Sequence, residues 1–414
     1  MTWRAPFATT PVDAEVQVPG SKSATARALV LSALADTPGT IQGGLRARDT
    51  DLMIAGLEAL GARIDMAPHR WVVSPIHEFP ADARIDCGLA GTVMRFLPAV
   101  AASGSVGAHF FGDPSASVRP MEPLLQGLTQ LGAYVDGVHL PFTVTGPVTH
   151  RETTIDSSAS SQFISALLLA GPRFAHGVRV THRGGPIPSL PHIEMTIAAL
   201  RARGVEVGHE GFTWETSCAP IHALDEIIEP DLTTAAVFLA SALVTGGKIS
   251  VPGWPATTTQ PGVRTLEILT QMGGHVDVSG SLATVSSTGQ LSGIDIDLAD
   301  TSELTPVVAA VACFADGPTV IRGVAHIRGH ETNRLAALSA EITALGGDCR
   351  ETEDGLVIHP TRLGPGVFHT YADHRMAHAG ALIGLRTPGL ELDDVGCTSK
   401  TMPDFPHVWE VLVS

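Results

Sequence analysis

The sequence predicts an α/β protein of two domains, each assembled from three copies of one repeated unit. Three observations predict it. The chain has 414 residues, more than a single hydrophobic core usually organises. Five amphipathic segments ("GLEALGARI", "GLTQLGAYV", "ALRARGVEV", "ILTQMGGHV" and "EITALGGDC") place a glycine at 61, 132, 204, 273 and 346, spaced by 69 to 73 residues. A second series of six apolar segments interleaves with the first and ends at glycines 39, 104, 177, 246, 317 and 389, spaced by 65 to 73 residues. Self-similarity at a fixed period marks a repeat architecture.

Each unit is read in order from these segments. The apolar series is "SKSATARALVLSALADTPGT", "GTVMRFLPAVAASG", "SSQFISALLLAGPRFAHG", "DLTTAAVFLASALVTGG", "ELTPVVAAVACFADG" and "DHRMAHAGALIGLRTPG". These helices are apolar nearly all round, which requires burial on every side. The other series keeps a polar face and closes on glycine, the pattern of a surface helix with its C-cap. "FPHVWEVLVS" supplies a sixth surface helix at the end of the chain. Short β-branched stretches between the helices ("WVVSPI", "FTVTG", "VRVTH", "ATVSS" and "GLVIHP") read as strands. "AEVQVPG" precedes the first unit as a lone strand, and "HALDEIIEPDLTT" (222–234), with its proline and clustered acids, reads as a crossover. The predicted domains are therefore 20–229, and 1–19 joined to 230–414.

Composition narrows the function. The formal net charge is −16, which disfavours nucleic acid or an anionic membrane as partner. Five widely spaced cysteines without a C-x-x-C fit a reducing compartment and neither a disulfide framework nor a zinc site. No apolar run approaches a membrane span, and the N-terminal stretch lacks the apolar core of a signal peptide. The expectation is a cytoplasmic protein. Neither a P-loop nor a G-x-G-x-x-G follows a strand, so neither a metal nor an organic cofactor is expected.

Chemistry collects at the N-termini of the six apolar helices. They carry Lys22, Ser23 and Arg27; Gly91, Thr92 and Arg95; Ser160, Ser161 and Gln162; Asp231 and Thr233; Ser302, Glu303 and Thr305; and Asp373, His374 and Arg375. Polar caps are ordinary there. Cations are not, because the helix dipole opposes them. An anionic ligand resolves the conflict, since a helix N-terminus and an Arg or Lys both favour phosphate and carboxylate. Further cations lie in "GDPSASVRP" (Arg119), "RGHETNRL" (Arg328, Arg334) and "GCTSKTMPDF" (Lys400). Glu303, Glu331, His330 and His374 are candidate proton carriers, being tunable near neutral pH. If all six helices aim at one cleft, the ligand is polyanionic.

The motifs "PGSKSATAR", "GLAGTVMR", "SASSQF", "RGHETNRL", "YADHRMA" and "SKTMPDF" resemble, in the same order and over nearly the whole chain, those of the 5-enolpyruvylshikimate-3-phosphate synthase family. The resemblance implies the enolpyruvyl transferase fold: two domains of three βαβαββ units each, wrapped around buried parallel helices, with the active site in the cleft between them. It implies a monomer that transfers the enolpyruvyl group of phosphoenolpyruvate to the 5-hydroxyl of shikimate 3-phosphate. It also implies inhibition by glyphosate in competition with phosphoenolpyruvate. Carried over motif by motif, Lys22, Ser23, Arg27, Ser160, Ser161, Gln162, Ser189, Glu303 and His330 would hold shikimate 3-phosphate. Lys22, Gly91, Arg119, Gln162, Arg334, Arg375 and Lys400 would hold phosphoenolpyruvate. Lys22, Glu303, Glu331 and His374 would move protons.

Three positions depart from the family pattern: Ala26 where relatives carry Asn, Asn333 where Asp is usual, and His378 where Met is usual. None removes an implied substrate contact. The related UDP-N-acetylglucosamine enolpyruvyl transferases typically carry a reactive cysteine before the equivalent of Arg119, and "FGDPSASVRP" has none. A non-catalytic anion-binding relative would keep the cations and lose the proton carriers, whereas Lys22, Glu303 and Glu331 are all present.

Overall fold

The computed structural model describes residues 2–414 and resolves the repeat into six small sheets. One unit shows the rule. Strands Ala83–Asp86 and Gly107–Phe111 pair in parallel, linked by the buried helix Gly91–Ala101. After the outer helix Glu122–Gln130, strands Tyr134–Asp136 and Phe142–Thr145 form a hairpin, and Phe142–Thr145 pairs antiparallel with Gly107–Phe111. The order first, second, fourth, third recurs in five sheets. The sixth has three strands: Gly366–Phe368 runs parallel to Leu390–Leu392, and Trp3–Arg4 pairs antiparallel with the latter.

Two of the sheets borrow their first strand from a distant part of the chain. Asp225–Ile227 pairs in parallel with Gly39–Gln42, and Asp13–Glu15 pairs in parallel with Lys248–Pro252. The chain therefore changes unit twice. Residues up to Pro19 join Glu229–Ser414 in one compact unit, and Gly20–Ile228 make the other. Each has its own apolar core.

The two helix series separate as their composition dictates. In Gly91–Ala101 and Thr305–Ala312 every residue is buried. In the other inner helices the first turn is what reaches solvent: Lys22, Ser23 and Ala24 of Lys22–Ala33, Gln162 of Gln162–Ala170, Thr233 of Leu232–Thr245 and Arg375 of His374–Gly384. Thr245, at the far end of its helix, is the one exception. Outer helices such as Glu122–Gln130 bury one stripe, here Leu124, Leu125 and Leu128. The five glycines that close them all adopt positive φ, which a side chain would resist. The final segment forms the helix Phe405–Val413, anchored by buried Phe405 and Trp409. No helix among the described residues is long and apolar enough to cross a membrane.

Candidate active site

In the 20–228 unit, Ser21 caps the first inner helix by accepting from the Ala24 amide at 3.3 Å. The cap leaves Lys22 at the first helical position, where its Nζ lies 3.5 Å from Oδ2 of Asp49. Asp49 is 2% exposed and also takes Arg48 at 2.9 Å through Oδ1. Arg27 is buried one turn further along the same helix. Its Nε donates to Thr196 Oγ1 (2.8 Å), its NH1 to the Ser23 carbonyl (2.9 Å) and its NH2 to the His192 carbonyl (2.7 Å). Three of the five N–H donors of this guanidinium are thus committed to the chain. Burial pulls it down to about 9.

Gly91 and Arg119 form a fitted pair. Arg119 NH1 donates to the Leu89 carbonyl at 3.0 Å, which lays the guanidinium over Gly91. A Cβ at Gly91 would meet Arg119 NH2 at 2.8 Å and NH1 at 3.2 Å. Buried Arg95 joins two inner helices, donating to Gln162 Oε1 at 3.0 Å and lying 5.5 Å from the Phe163 ring centre. Just before the next inner helix the Ser160 hydroxyl accepts from the Gln162 amide at 3.3 Å, and Ser161, at the N-cap position, is buried. Ser189 is buried with φ of +51°. A serine held in the left-handed region is uncommon and is often a sign of a functional loop.

In the other unit Arg334 is the hub. Its Nε donates to Asp373 Oδ2 at 2.7 Å and its NH2 to Asp373 Oδ1 at 3.1 Å, a bidentate pair with both partners almost wholly buried. NH2 also reaches Glu331 at 2.8 Å, and NH1 donates to His330 Nδ1 at 3.0 Å. Glu331 pairs in turn with Lys400, which is itself buried. Asp373 caps the helix His374–Gly384 by accepting from the Arg375 amide at 2.9 Å. Arg375 NH2 donates to Thr233 Oγ1 at 3.1 Å, and Asp231 fixes that hydroxyl at 2.7 Å while capping its own helix. His374 is buried, its Nδ1 3.5 Å from Asp373 Oδ1. Glu303 follows Ser302, whose hydroxyl meets His326 Nε2 at 2.8 Å.

These contacts fix charge states. Because Arg334 only donates, His330 Nδ1 must accept, and the ring is a neutral tautomer with its proton on Nε2. Burial, then the Arg334 charge, holds His330 well below its ordinary value. Burial also lowers His326. For Arg334 burial alone would lower the guanidinium, but the attraction of Asp373, Glu331 and Glu303 outweighs it and raises it. Arg375 moves down, first through burial and then through Arg334.

The structure thus gathers Glu331, Lys400, Arg334, His330, His374 and Arg375 into one contact network within one unit. Glu303 acts electrostatically on Arg334, Arg375, His326 and His330. In the other unit it links Arg95 to Gln162 and Arg119 to the Gly91 turn, and gives Lys22 a buried acid. Sequence reasoning missed Asp49 as the partner of Lys22, Thr196 and the His192 carbonyl as the seat of Arg27, and the Arg334 pairing of Asp373. Acids in a first turn or at a cap are ordinary, so Asp49 and Asp373 carried no distinguishing signal.

Five four-stranded sheets and one three-stranded sheet, each with its buried helix, and cations at several inner helix starts match the architecture of the enolpyruvyl transferase class. The structure superimposes on an EPSP synthase from Acinetobacter baumannii with a TM-score of 0.82, at 23% identity, covering 99% of this chain and 97% of that one. It superimposes on the enolpyruvyl transferase NikO from Streptomyces tendae with a TM-score of 0.77, at 19% identity, covering 98% and 96%. The sequence model of the EPSP synthase (3-phosphoshikimate 1-carboxyvinyltransferase) family matches residues 7–409. The chain belongs to the EPSP synthase family. Its reaction is transfer of the enolpyruvyl group from phosphoenolpyruvate to the 5-hydroxyl of shikimate 3-phosphate, with release of phosphate, a step of aromatic biosynthesis.

Proposed function

We propose that the two sets of residues, one from domain 20–229 and one from domain 1–19 with 230–414, act on one substrate pair. Ser23, Arg27, Ser160, Ser161, Gln162 and Ser189 hold shikimate 3-phosphate, with Glu303 and His330 at its ring. Arg119 beside Gly91, Gln162, Arg334, Arg375 and Lys400 hold the phosphate and carboxylate of phosphoenolpyruvate, and Lys22 faces both. The observation that carries this reading is the Arg334 network, which keeps two cations, Arg334 and Lys400, buried around one carboxylate, Glu331. Such preorganised charge stabilises anions without reorganisation during reaction.

In the reaction the 5-hydroxyl loses its proton as its oxygen attacks C2 of phosphoenolpyruvate, and the methylene carbon gains a proton. The tetrahedral intermediate then loses a methyl proton and expels phosphate. Glu303 takes the hydroxyl proton. Lys22, Glu331 and His374 are the groups able to supply the proton to the methylene. When Lys400 turns to the phosphate, Glu331 loses a cationic partner and its proton affinity rises, which suits it to carry that proton. Arg119, Arg334, Arg375 and Lys400 balance charge on the departing phosphate. The protein works as a cytoplasmic monomer without metal or organic cofactor.

The test is phosphate release by the purified chain with both substrates in chelator-treated buffer. Release that requires both substrates is the expected result. Tight binding of shikimate 3-phosphate without any release would leave an anion-binding protein instead.

A further inference from the structure

The turn before the helix His374–Gly384 is strained. Tyr371 and Ala372 have φ of +55° and +54°, two successive non-glycine residues in the left-handed region. L-residues visit that region singly and rarely. The surroundings hold the turn in place. Glu341, 4% exposed, accepts from the His369 amide at 2.8 Å, from His369 Nδ1 at 3.2 Å and from the Tyr371 hydroxyl at 2.7 Å. Asp393 Oδ1 accepts from the Thr370 amide at 2.8 Å and its hydroxyl at 2.9 Å.

Glu341 and Arg334 lie on one helix, Arg334–Ala344, seven residues apart and so on one face. Arg334 grips Asp373 while Glu341 grips Tyr371 and His369. One rigid helix therefore pins the segment 369–373 at both ends. That segment delivers the Asp373 carboxylate, which both caps the helix bearing His374 and Arg375 and orients Arg334.

We infer that Glu341 and Tyr371 are positioning residues, which hold a strained turn so that Arg334 and Arg375 stay set for the anionic groups of phosphoenolpyruvate. The inference rests on the proposed role of those two arginines. Losing the tether lets the turn relax toward ordinary φ, and Asp373 and Arg375 drift with it. Shikimate 3-phosphate binding depends far less on this segment.

The experiment compares Tyr371→Phe, Ala372→Gly and the double variant by steady-state phosphate release, with melting temperatures alongside. Tyr371→Phe is expected to raise KM for phosphoenolpyruvate at least fivefold and leave KM for shikimate 3-phosphate within twofold. Ala372→Gly alone is expected to raise the melting temperature with KM unchanged, since glycine adopts this conformation without strain. In the double variant KM for phosphoenolpyruvate returns to within twofold of the starting protein. An unchanged KM in Tyr371→Phe, an equal rise for both substrates, or a rise that Ala372→Gly does not reverse each overturns the inference. A lower melting temperature in Ala372→Gly overturns it through stability alone. Arg375→Ala separates the two readings. If it leaves KM for phosphoenolpyruvate unchanged, the role given to Arg375 fails; if it raises KM and Tyr371→Phe does not, only the tether fails.

Discussion

Replacing Gly91 by alanine tests whether Arg119 is placed by absence of a side chain. The new Cβ would start 2.8 Å from Arg119 NH2, and ordinary contact begins at 3.4 Å, so the guanidinium must retreat by several tenths of an ångström. The chain itself resists little. Gly91 has no positive φ, and alanine favours a helix over glycine by about 0.5–1 kcal/mol. Stability is therefore expected to hold or rise slightly. Binding is another matter, because a hydrogen bond to a charged group contributes about 1.5–3 kcal/mol when well aligned. Loss of roughly half that value predicts a fall of about 3- to 12-fold in kcat/KM for phosphoenolpyruvate, at about 1.4 kcal/mol per tenfold. KM for shikimate 3-phosphate should not move. The decisive assay is a double-mutant cycle with Arg119→Ala. If the methyl acts through the guanidinium, Gly91→Ala costs nothing further once Arg119 is gone. Additive losses, or a loss shared equally by both substrates, would refute the reasoning.

Other consequences can be checked with the same assay or by unfolding. Lys22→Met is expected to lower kcat by at least two orders of magnitude while circular dichroism stays native; retained turnover would remove Lys22 from the chemistry. Asp373→Asn leaves Arg334 buried with half its counter-charge, and breaking a buried pair costs about 3–5 kcal/mol, so urea unfolding should shift by that order. Glyphosate is expected to compete with phosphoenolpyruvate and not with shikimate 3-phosphate, read from the pattern of initial rates; inhibition competitive with shikimate 3-phosphate would contradict it. His378→Met concerns acid stability. Both ring nitrogens of His378 are buried without a hydrogen-bond partner, and burial, then Arg375 and Arg334, lowers the imidazole from 6.5 to about 3. Below pH 6.5 the unfolded chain takes up a proton that the folded one refuses. This contribution is therefore whole above 6.5 and is lost as pH falls toward 3, about 2 kcal/mol by pH 5. His378→Met should flatten the loss between pH 7 and pH 5; an unchanged slope would show that other groups carry it.

Much of the fold was legible because it is periodic. A repeat of about seventy residues shows in the glycine spacing, and an all-apolar helix leaves no option but burial. The candidate site was legible in part for a related reason. Lys22, Arg95 and Arg375 sit where a helix dipole disfavours cations, so they stood out. What stayed hidden is pairing at long range. Lys22 meets Asp49 across 27 residues, Arg334 meets Asp373 across 39, and Arg27 meets Thr196 across 169. No local pattern encodes such choices. The left-handed turn at Tyr371 and Ala372 was hidden for the opposite reason, because neither residue type signals that conformation.

The hidden acids change what the cations of the candidate site mean. Read from sequence, Lys22, Arg334 and Lys400 look like bare charges waiting for an anion. In the structure each already has a carboxylate: Asp49, Asp373 and Glu331. Bare buried cations would be costly and mobile. Paired ones are held in place, as preorganised stabilisation of charge requires. The pairs are not equivalent, however. Arg334 is bidentate to Asp373 and almost wholly enclosed, so it has no reason to change partner. Lys400 is a single ammonium on Glu331, which Arg334 also serves. An incoming phosphate can therefore draw Lys400 off Glu331 without stranding that carboxylate. On this argument Glu331→Gln should weaken turnover more than phosphoenolpyruvate binding, because the amide can neither carry the proton nor hold Lys400 back from the ligand. A variant that lost binding and kept its turnover would place Glu331 in the scaffold instead.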